Sequence, residues 1–196
     1  MLKIRPFLLL VLCALALVAA GCGDESEPST ADRYAQRAED EAEKRPAAAT
    51  ADAKPITAEK VEPTAGEANL ATKPKIPKAS GAAPKELVAQ DLIVGDGAAA
   101  KSGDPISVQY VGVTYDDNKE FDASWSGSKP GKAFEFTLGK GGVIQGWDQG
   151  VVGMKVGGRR KLVIPPDLAY GAQGSPPNIG PNATLVFEVD LKKVGS

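Results

Sequence analysis

The sequence predicts an α+β domain, in which antiparallel strands pack over a single short helix, preceded by a disordered tether. Several segments in the C-terminal half alternate apolar and polar residues with a period of two, as half-buried strands do. One segment, from Val143 to Val151, has its apolar residues at helical spacing instead. The stretch from residue 23 to residue 85 is rich in Ala, Pro, Glu, Lys and Thr and has few large apolar residues, so it is predicted to be disordered.

The predicted strands are rich in β-branched and aromatic residues and are separated by turn signals. They span residues 106–113, 120–122, 134–138, 159–164 and 184–191. The turn Asp116–Asn118 joins the first two, and Pro165 ends the fourth. The last strand alternates most cleanly, with one face formed by Leu185, Phe187, Val189 and Leu191. The basic start of the fourth strand, Arg159–Lys161, is predicted to be a solvated strand edge.

The predicted helix is weak when considered alone. Its apolar residues fall at positions i, i+1, i+4 and i+8, namely Val143, Ile144, Trp147 and Val151. Gly146 and Gly150 lie within the same segment and lower its helix propensity. We therefore expect the helix to depend on packing against one face of the sheet, which is the layered arrangement of an α+β domain.

The first 22 residues have the pattern of an export signal. Lys3 and Arg5 precede an uncharged apolar run, Phe7–Ala20, which is shorter than the roughly 20 apolar residues that a membrane-spanning helix needs. Small residues before Cys22 resemble a bacterial lipobox, although Ala19 stands where leucine is commoner. We expect lipidation at Cys22 and a location on the outer face of a bacterial membrane. The alternative is ordinary signal cleavage that leaves Cys22 unmodified or removes it.

Composition excludes several kinds of chemistry. The chain of 196 residues has no His, and its formal net charge is −2, so neither a His-based site nor a nucleic-acid partner is expected. Both cysteines, Cys13 and Cys22, lie in the predicted signal peptide, which leaves the folded part without a thiol or a disulfide. No metal site and no cofactor is expected. The predicted organisation is a signal peptide (1–22), a tether (23–85) and one domain (86–196).

Seven short segments, in order along residues 86–194, resemble the FKBP-type peptidyl-prolyl cis-trans isomerases. They are Val108–Gly112, Phe121–Ser124, Phe134–Gly139, Val143–Asp148, Leu162–Pro165, Leu168–Gly171 and Asn182–Phe187. The resemblance implies a half-open antiparallel β-sheet wrapped around one short α-helix. It also implies isomerase activity on proline-containing polypeptides, binding of macrolide inhibitors of the rapamycin class, and a monomeric enzyme without a cofactor.

The resemblance further implies a substrate-binding pocket. Its walls would be Tyr110, Phe121, Asp122, Phe134, Val143, Ile144, Trp147, Tyr170, Ile179 and Phe187. The catalytic residues among them would be Phe121, Asp122, Ile144, Trp147 and Tyr170. Trp147 would form the floor of the pocket, the backbone N–H of Ile144 would meet a substrate carbonyl, and the hydroxyl of Tyr170 would donate a hydrogen bond.

Other interpretations of these residues stay open at this point. Periodicity alone places Phe134, Val143 and Phe187 in the core, and Trp147 fits a contact between helix and sheet. Family members often have an Arg after the Asp that matches Asp122, but residues 125–133 contain none. Lys129 or Lys132 would be a less suitable partner, because an ammonium group cannot pair bidentately.

Three classes of function are compatible with the sequence. The first is an extracytoplasmic isomerase that assists protein folding. The second is a non-catalytic proline- or macrolide-binding module displayed on a membrane, which would use the same pocket. The third, a structural surface lipoprotein, would need no pocket at all.

Overall fold

The computed structural model describes residues 56–195. The predicted signal peptide, Cys22 and the tether as far as residue 55 lie outside the described residues. The described chain folds into a seven-stranded sheet, a separate two-stranded hairpin and one α-helix. The strands are β1 (Glu59–Lys60), β2 (Val88–Ile93), β3 (Pro105–Thr114), β4 (Glu120–Ala123), β5 (Trp125–Ser126), β6 (Lys129–Pro130), β7 (Phe134–Thr137), β8 (Arg159–Ile164) and β9 (Leu185–Val194), and the helix is α1 (Gln145–Gly150).

The sheet has the strand order β1-β2-β8-β9-β3-β4, with β7 also paired to β3. All neighbours are antiparallel except β1 and β2. The long strand β3 has β9 on one side, and on the other side it pairs first with β7 and then with β4. The predicted fold class, antiparallel strands around one short helix, is confirmed for the described part of the chain.

Alternation along the strands divides the buried residues between the two faces of the sheet. The inner face packs against α1 and carries the larger cluster, which includes Val108, Leu162, Leu185 and Val189. The outer face carries a smaller cluster of Ile76, Val111, Val113, Tyr115, Trp125 and Val186. Both faces of β3 and β9 are therefore buried.

The glycines of α1 allow the helix to lie very close to β8. A Cβ atom at Gly146 would be 2.4 Å from Ile164 Cγ2, and one at Gly150 would be 2.7 Å from Leu162 Cδ2. The low helix propensity of these residues is thus the cost of close packing between helix and sheet. Among residues 56–195, no helix is both long and apolar enough to cross a membrane.

The structure corrects the predicted extent of the tether. Residues 56–85, here called the strap, lie against the domain: β1 pairs with the edge strand β2, and Ile76 is buried in the outer cluster. The Tyr115 hydroxyl donates to the carbonyl oxygens of Ser80 and Ala82, at 3.3 Å each. The strap has few apolar residues, but its own backbone groups and one buried carboxylate supply contacts that a count of apolar residues misses.

That carboxylate belongs to Glu67, which is 1% exposed. Glu67 bonds to the Lys161 ammonium and accepts the Thr64 N–H at 2.8 Å. Its backbone oxygen accepts a hydrogen bond from Arg159 Nη1 at 2.7 Å, while the same guanidinium pairs bidentately with Asp190 at 2.5 and 2.7 Å. The prediction of a solvated edge at Arg159–Lys161 is therefore wrong: Arg159 and Arg160 are buried, and each guanidinium pairs with a carboxylate, that of Asp190 and that of Asp91 respectively.

Glu188 completes this ionic cluster and lies beside Glu67. Burial raises the pKa of Glu188 to about 8, with a further contribution from the neighbouring Glu67 carboxylate. Burial also acts to raise the pKa of Glu67, but hydrogen bonds from Glu188, Lys161 and Thr64 outweigh it and lower that pKa to about 2. The two neighbouring carboxyls therefore differ near neutral pH, where Glu188 is protonated and Glu67 is ionised.

Candidate functional site

Trp147, in the middle of α1, is the centre of an aromatic cluster on the inner face of the sheet. Its ring lies 5.2 Å from Tyr110 and 5.3 Å from Phe187, both nearly perpendicular to the indole. Phe134 and Phe136 of β7 lie 6.2 and 5.8 Å away. These centroid distances are in the range of favourable edge-to-face contacts. Among the described residues, the buried indole Nε1 has no hydrogen-bond partner.

A second aromatic contact forms the neighbouring wall. Phe121 of β4 and Phe187 of β9 meet edge to face at 5.4 Å. The two strands lie on opposite sides of β3, so the rings must meet across that strand. Gly112 makes this possible, because a Cβ atom there would lie 2.7 Å from both rings.

The polar side of the site is a buried pair. The Tyr110 hydroxyl donates to Asp122 Oδ2 at 2.5 Å, and both residues are less than 9% exposed. Burial raises the pKa of Asp122, while the Tyr110 hydroxyl and the backbone N–H of Ala123 oppose that shift. Asp122 is thus hydrogen-bonded to a tyrosine and not to a lysine of the 125–133 segment.

Ile144 lies at the start of α1. Its carbonyl accepts the N–H groups of Trp147 and Asp148, at 2.9 and 3.3 Å. Within residues 56–195, no hydrogen bond is made by its own N–H. The Asp148 carboxylate accepts the N–H groups of Gly139 and Gly141, at 2.8 and 2.9 Å, and so fixes the loop that leads into Ile144.

The structure brings the ten predicted pocket residues together. Seven belong to the inner core cluster, two pack against it, and Asp122 is joined to it through Tyr110. The seven are Tyr110, Phe121, Val143, Ile144, Trp147, Ile179 and Phe187, and the two are Phe134 and Tyr170.

Phe136 was missed by the sequence interpretation. It is stacked on Phe134 at 5.4 Å with an interplanar angle of 26°, and it contacts Trp147. The period-two alternation of β7 puts positions 134 and 136 on the same face, so the alternation alone was the signal. The resemblance drew attention to Phe134 only.

This arrangement is an apolar, aromatic cluster with hydrogen-bonding groups at its edge. Such a surface can hold a proline ring by packing, and the Ile144 N–H can meet a carbonyl oxygen. It has no nucleophile with an adjacent base, since the described polar side chains at the site are the Tyr110–Asp122 pair and Tyr170. Binding and reshaping of a peptide therefore suit the site better than bond cleavage.

Comparison with known proteins agrees with this geometry. The sequence model of the family described as FKBP-type peptidyl-prolyl cis-trans isomerase matches residues 97–192. An FK506-binding protein of Streptomyces anulatus is 49% identical over 123 residues, which cover 62% of this chain and 97% of that protein. The 39 kDa FK506-binding nuclear protein of Drosophila melanogaster is 56% identical over 104 residues, covering 53% of this chain and 28% of that protein.

A solved structure described as the crystal structure of AtFKBP13 also matches. It is 36% identical in sequence, superposes with a TM-score of 0.50, and the match covers 57% of this chain and 94% of that one. The chain belongs to the FKBP-type peptidyl-prolyl cis-trans isomerase family, and the predicted enzyme class is confirmed. It spans nearly all of the bacterial relative but only about a quarter of the nuclear one.

Proposed function

We propose that the chain is a lipid-anchored peptidyl-prolyl isomerase that accelerates X–Pro rotation in proteins outside the cytoplasm and so assists their folding. The observation that carries the proposal is the aromatic cluster around Trp147, bordered by the Tyr110–Asp122 pair and the Ile144 N–H. The anchor rests on Cys22 and the small residues before it. We further propose that the enzyme acts as a monomer and binds macrolides of the rapamycin class, which the names of FK506-binding relatives support.

Rotation about the X–Pro bond needs no bond cleavage. The barrier to rotation about a peptide bond is roughly 18–20 kcal/mol, and uncatalysed X–Pro isomerisation takes tens to hundreds of seconds. The planar amide is stabilised by resonance that places negative charge on oxygen, and the twisted transition state loses that charge separation. An apolar pocket disfavours the more polar planar form, so it binds the twisted form better.

The residues of the site take distinct roles in this proposal. The proline ring packs on Trp147, enclosed by the aromatic walls that include Phe121. The Ile144 N–H donates to the carbonyl that follows the proline, while the preceding carbonyl rotates past Asp122. The Tyr170 hydroxyl donates a hydrogen bond to a substrate carbonyl. The remaining walls, Phe134, Val143, Ile179 and Phe187, exclude water.

Tyr170→Phe tests the role of the hydroxyl. The change keeps the half-buried ring and its packing against the core cluster. One net hydrogen bond contributes about 0.5–1.5 kcal/mol, so we expect kcat/KM to fall about two- to tenfold with little change in Tm. A protease-coupled or NMR-exchange isomerase assay and a thermal melt of the same preparation measure the two quantities.

Three outcomes separate the competing functions. A lower Tm with unchanged kcat/KM would remove Tyr170 from the site. A wild-type chain that binds a macrolide but does not accelerate isomerisation would be the non-catalytic binding module. A chain that does neither would be a structural lipoprotein. Catalysis by the wild type supports the enzyme, and a selective loss of kcat/KM in the variant supports the role of Tyr170.

Cys22→Ser tests the anchor. We expect the variant to leave the membrane fraction and appear in the soluble extracytoplasmic fraction, with unchanged kcat/KM. Because one acyl chain binds membranes only marginally, mass spectrometry of the mature wild type should show at least two acyl chains on Cys22. Cys13→Ser is the matched control, and it should leave the fractionation unchanged. An unmodified N-terminus on the mature protein would contradict the proposal.

A further inference from the structure

The long strand β3 changes partners on one side at Gln109 and Tyr110. Its earlier residues pair with β7, and its later residues pair with β4. Between β4 and β7 the chain leaves the sheet as residues 124–133, here called the excursion, which includes the β5–β6 hairpin. The excursion begins just after Asp122 and ends just before Phe134. The excursion therefore connects two proposed pocket residues, each of which lies in a strand paired with β3.

Gln109 joins the two ends of the excursion. The Ser124 hydroxyl donates to Gln109 Oε1 at 2.5 Å, and Gln109 Nε2 donates to the carbonyl oxygen of Gly131 at 2.9 Å. The Gly131 N–H donates to the Ser124 carbonyl at 3.1 Å. Gln109, Ser124 and Gly131 are therefore joined in a closed ring of hydrogen bonds. Gln109 and Ser124 are 4% and 8% exposed, so these bonds are shielded from water.

The same serine holds the main chain of Tyr110. Its hydroxyl oxygen accepts the Tyr110 N–H at 2.8 Å, and its N–H donates to the Tyr110 carbonyl at 3.1 Å. Tyr110 in turn donates its phenol hydrogen to Asp122. A continuous chain of hydrogen bonds therefore runs from Gln109 through Ser124 and Tyr110 to the polar edge of the pocket.

The ring has almost no room to rearrange. A Cβ atom at Gly131 would lie 2.4 Å from the Ser124 carbonyl oxygen, so the two ends of the excursion are in direct contact. An excursion closed this tightly cannot shift one end without breaking the bonds that Gln109 makes to the other. Cooperative hydrogen-bond networks whose side chains are buried, as those of Gln109 and Ser124 are, hold their members in one arrangement.

We propose that Gln109 is a positioning residue for isomerisation, which clamps both ends of the excursion and thereby fixes Asp122 and Phe134 relative to Trp147. The inference rests on the proposed function. It also explains how the site is built without an Arg in residues 125–133, since the orientation of Asp122 is set by Tyr110 and the ring behind it.

Gln109→Met in the full-length chain tests the clamp, because methionine keeps the length of the side chain but has no amide. We expect kcat/KM to fall about three- to tenfold at a temperature where the variant is fully folded, as for loss of one or two hydrogen bonds. Gln109→Glu keeps the acceptor for Ser124 and should show an intermediate loss. In an Asp122→Ala background, Gln109→Met should have a smaller effect, because the two act on the same interaction.

The matched control is Leu92→Ala. Leu92 is 5% exposed in β2, three strands from β3, so its truncation should lower Tm while kcat/KM of the folded protein stays unchanged. The clamp is refuted if Gln109→Met and Gln109→Glu lower only Tm, or if the loss in kcat/KM is the same with and without Asp122.

A measurement that does not depend on activity separates this inference from the proposed function. The carboxyl pKa of Asp122, followed by carbon-13 NMR, should rise further in Gln109→Met, since the Tyr110 hydrogen bond that opposes the effect of burial is loosened. An inactive wild type in which that shift occurs would reject the proposed function and keep the clamp. An unchanged Asp122 pKa would reject the clamp.

Discussion

Trp147→Ala is expected to remove most of the isomerase activity and to lower the free energy of unfolding by about 3–5 kcal/mol. The indole contacts aromatic rings from three strands, β3, β7 and β9, so its removal leaves a cavity and deprives the proline ring of its floor. Because a large loss of stability could by itself abolish activity, Trp147→Phe is the informative companion. It keeps an aromatic ring, and we expect a folded protein with strongly reduced kcat/KM.

The chain offers a matched control for this pair of variants. Its second tryptophan, Trp125, is 7% exposed and, like Trp147, has no partner for its Nε1 among the described residues, but it lies in the outer cluster. Trp125→Phe should cost stability with a much smaller loss of kcat/KM than Trp147→Phe, and it leaves Trp147 as the sole indole fluorophore. Macrolide binding should then change the fluorescence. Equal activity losses in both Phe variants would show that Trp147 acts through the fold alone.

A chain that begins at residue 86 is expected to melt at least 10 °C lower than one that begins at residue 56. The strap covers the outer cluster with Ile76 and supplies Glu67 to the ionic cluster, and breaking a buried ion pair by removing one partner costs about 3–5 kcal/mol. For a domain of this size, that loss corresponds to a Tm decrease of about 10–20 °C. Differential scanning calorimetry on the two chains measures it directly.

Activity measurements separate the effect of the strap on stability from any effect on catalysis. The strap packs Ile76 on the outer face and Ile56 and Ala58 against the inner cluster, but it supplies none of the proposed pocket residues. At low temperature the shorter chain should therefore keep its kcat/KM. Ile76→Ala in the longer chain should give part of the same Tm decrease. Equal melting temperatures for the chains beginning at 56 and 86 would show that the strap contributes nothing to folding.

Much of the fold could be predicted because the alternation of apolar and polar residues in the strands is visible in the sequence. The alternation in β7 and β9 and the helical spacing around Trp147 follow from one buried face each, and the structure confirms those elements. The strap could not be found by counting apolar residues within it. Its signal lay elsewhere, in β3, where Tyr110 and Val111 are consecutive apolar residues. A strand with apolar residues on both faces requires a second covering layer.

The contacts of the site were predictable to a lesser degree. Periodicity places Tyr110 on the inner face but does not set the register between β3 and β4. The structure pairs Gly112 with Asp122, and this register brings the carboxylate to the Tyr110 hydroxyl. Ring closure by Gln109 likewise depends on two loop ends that meet only in the folded chain. Such contacts follow from tertiary geometry, which patterns in a single sequence do not reveal.

The opposite pKa shifts of the buried Glu67 and Glu188 carboxyls make the stability of this protein depend on pH in an unusual window. The chain has no His, so no side chain with an ordinary pKa titrates between pH 5 and 8. Glu188 binds its proton more tightly when folded, so its stabilising effect is complete below its unfolded pKa and is lost as the pH rises through about 8. Glu67 is the opposite case, and its contribution is lost as the pH falls towards about 2.

Guanidinium unfolding should therefore show greater stability at pH 5 than at pH 8, and Glu188→Gln should flatten that decline. An enzyme built in this way would hold its strap most firmly in mildly acidic surroundings and loosen it in alkaline ones.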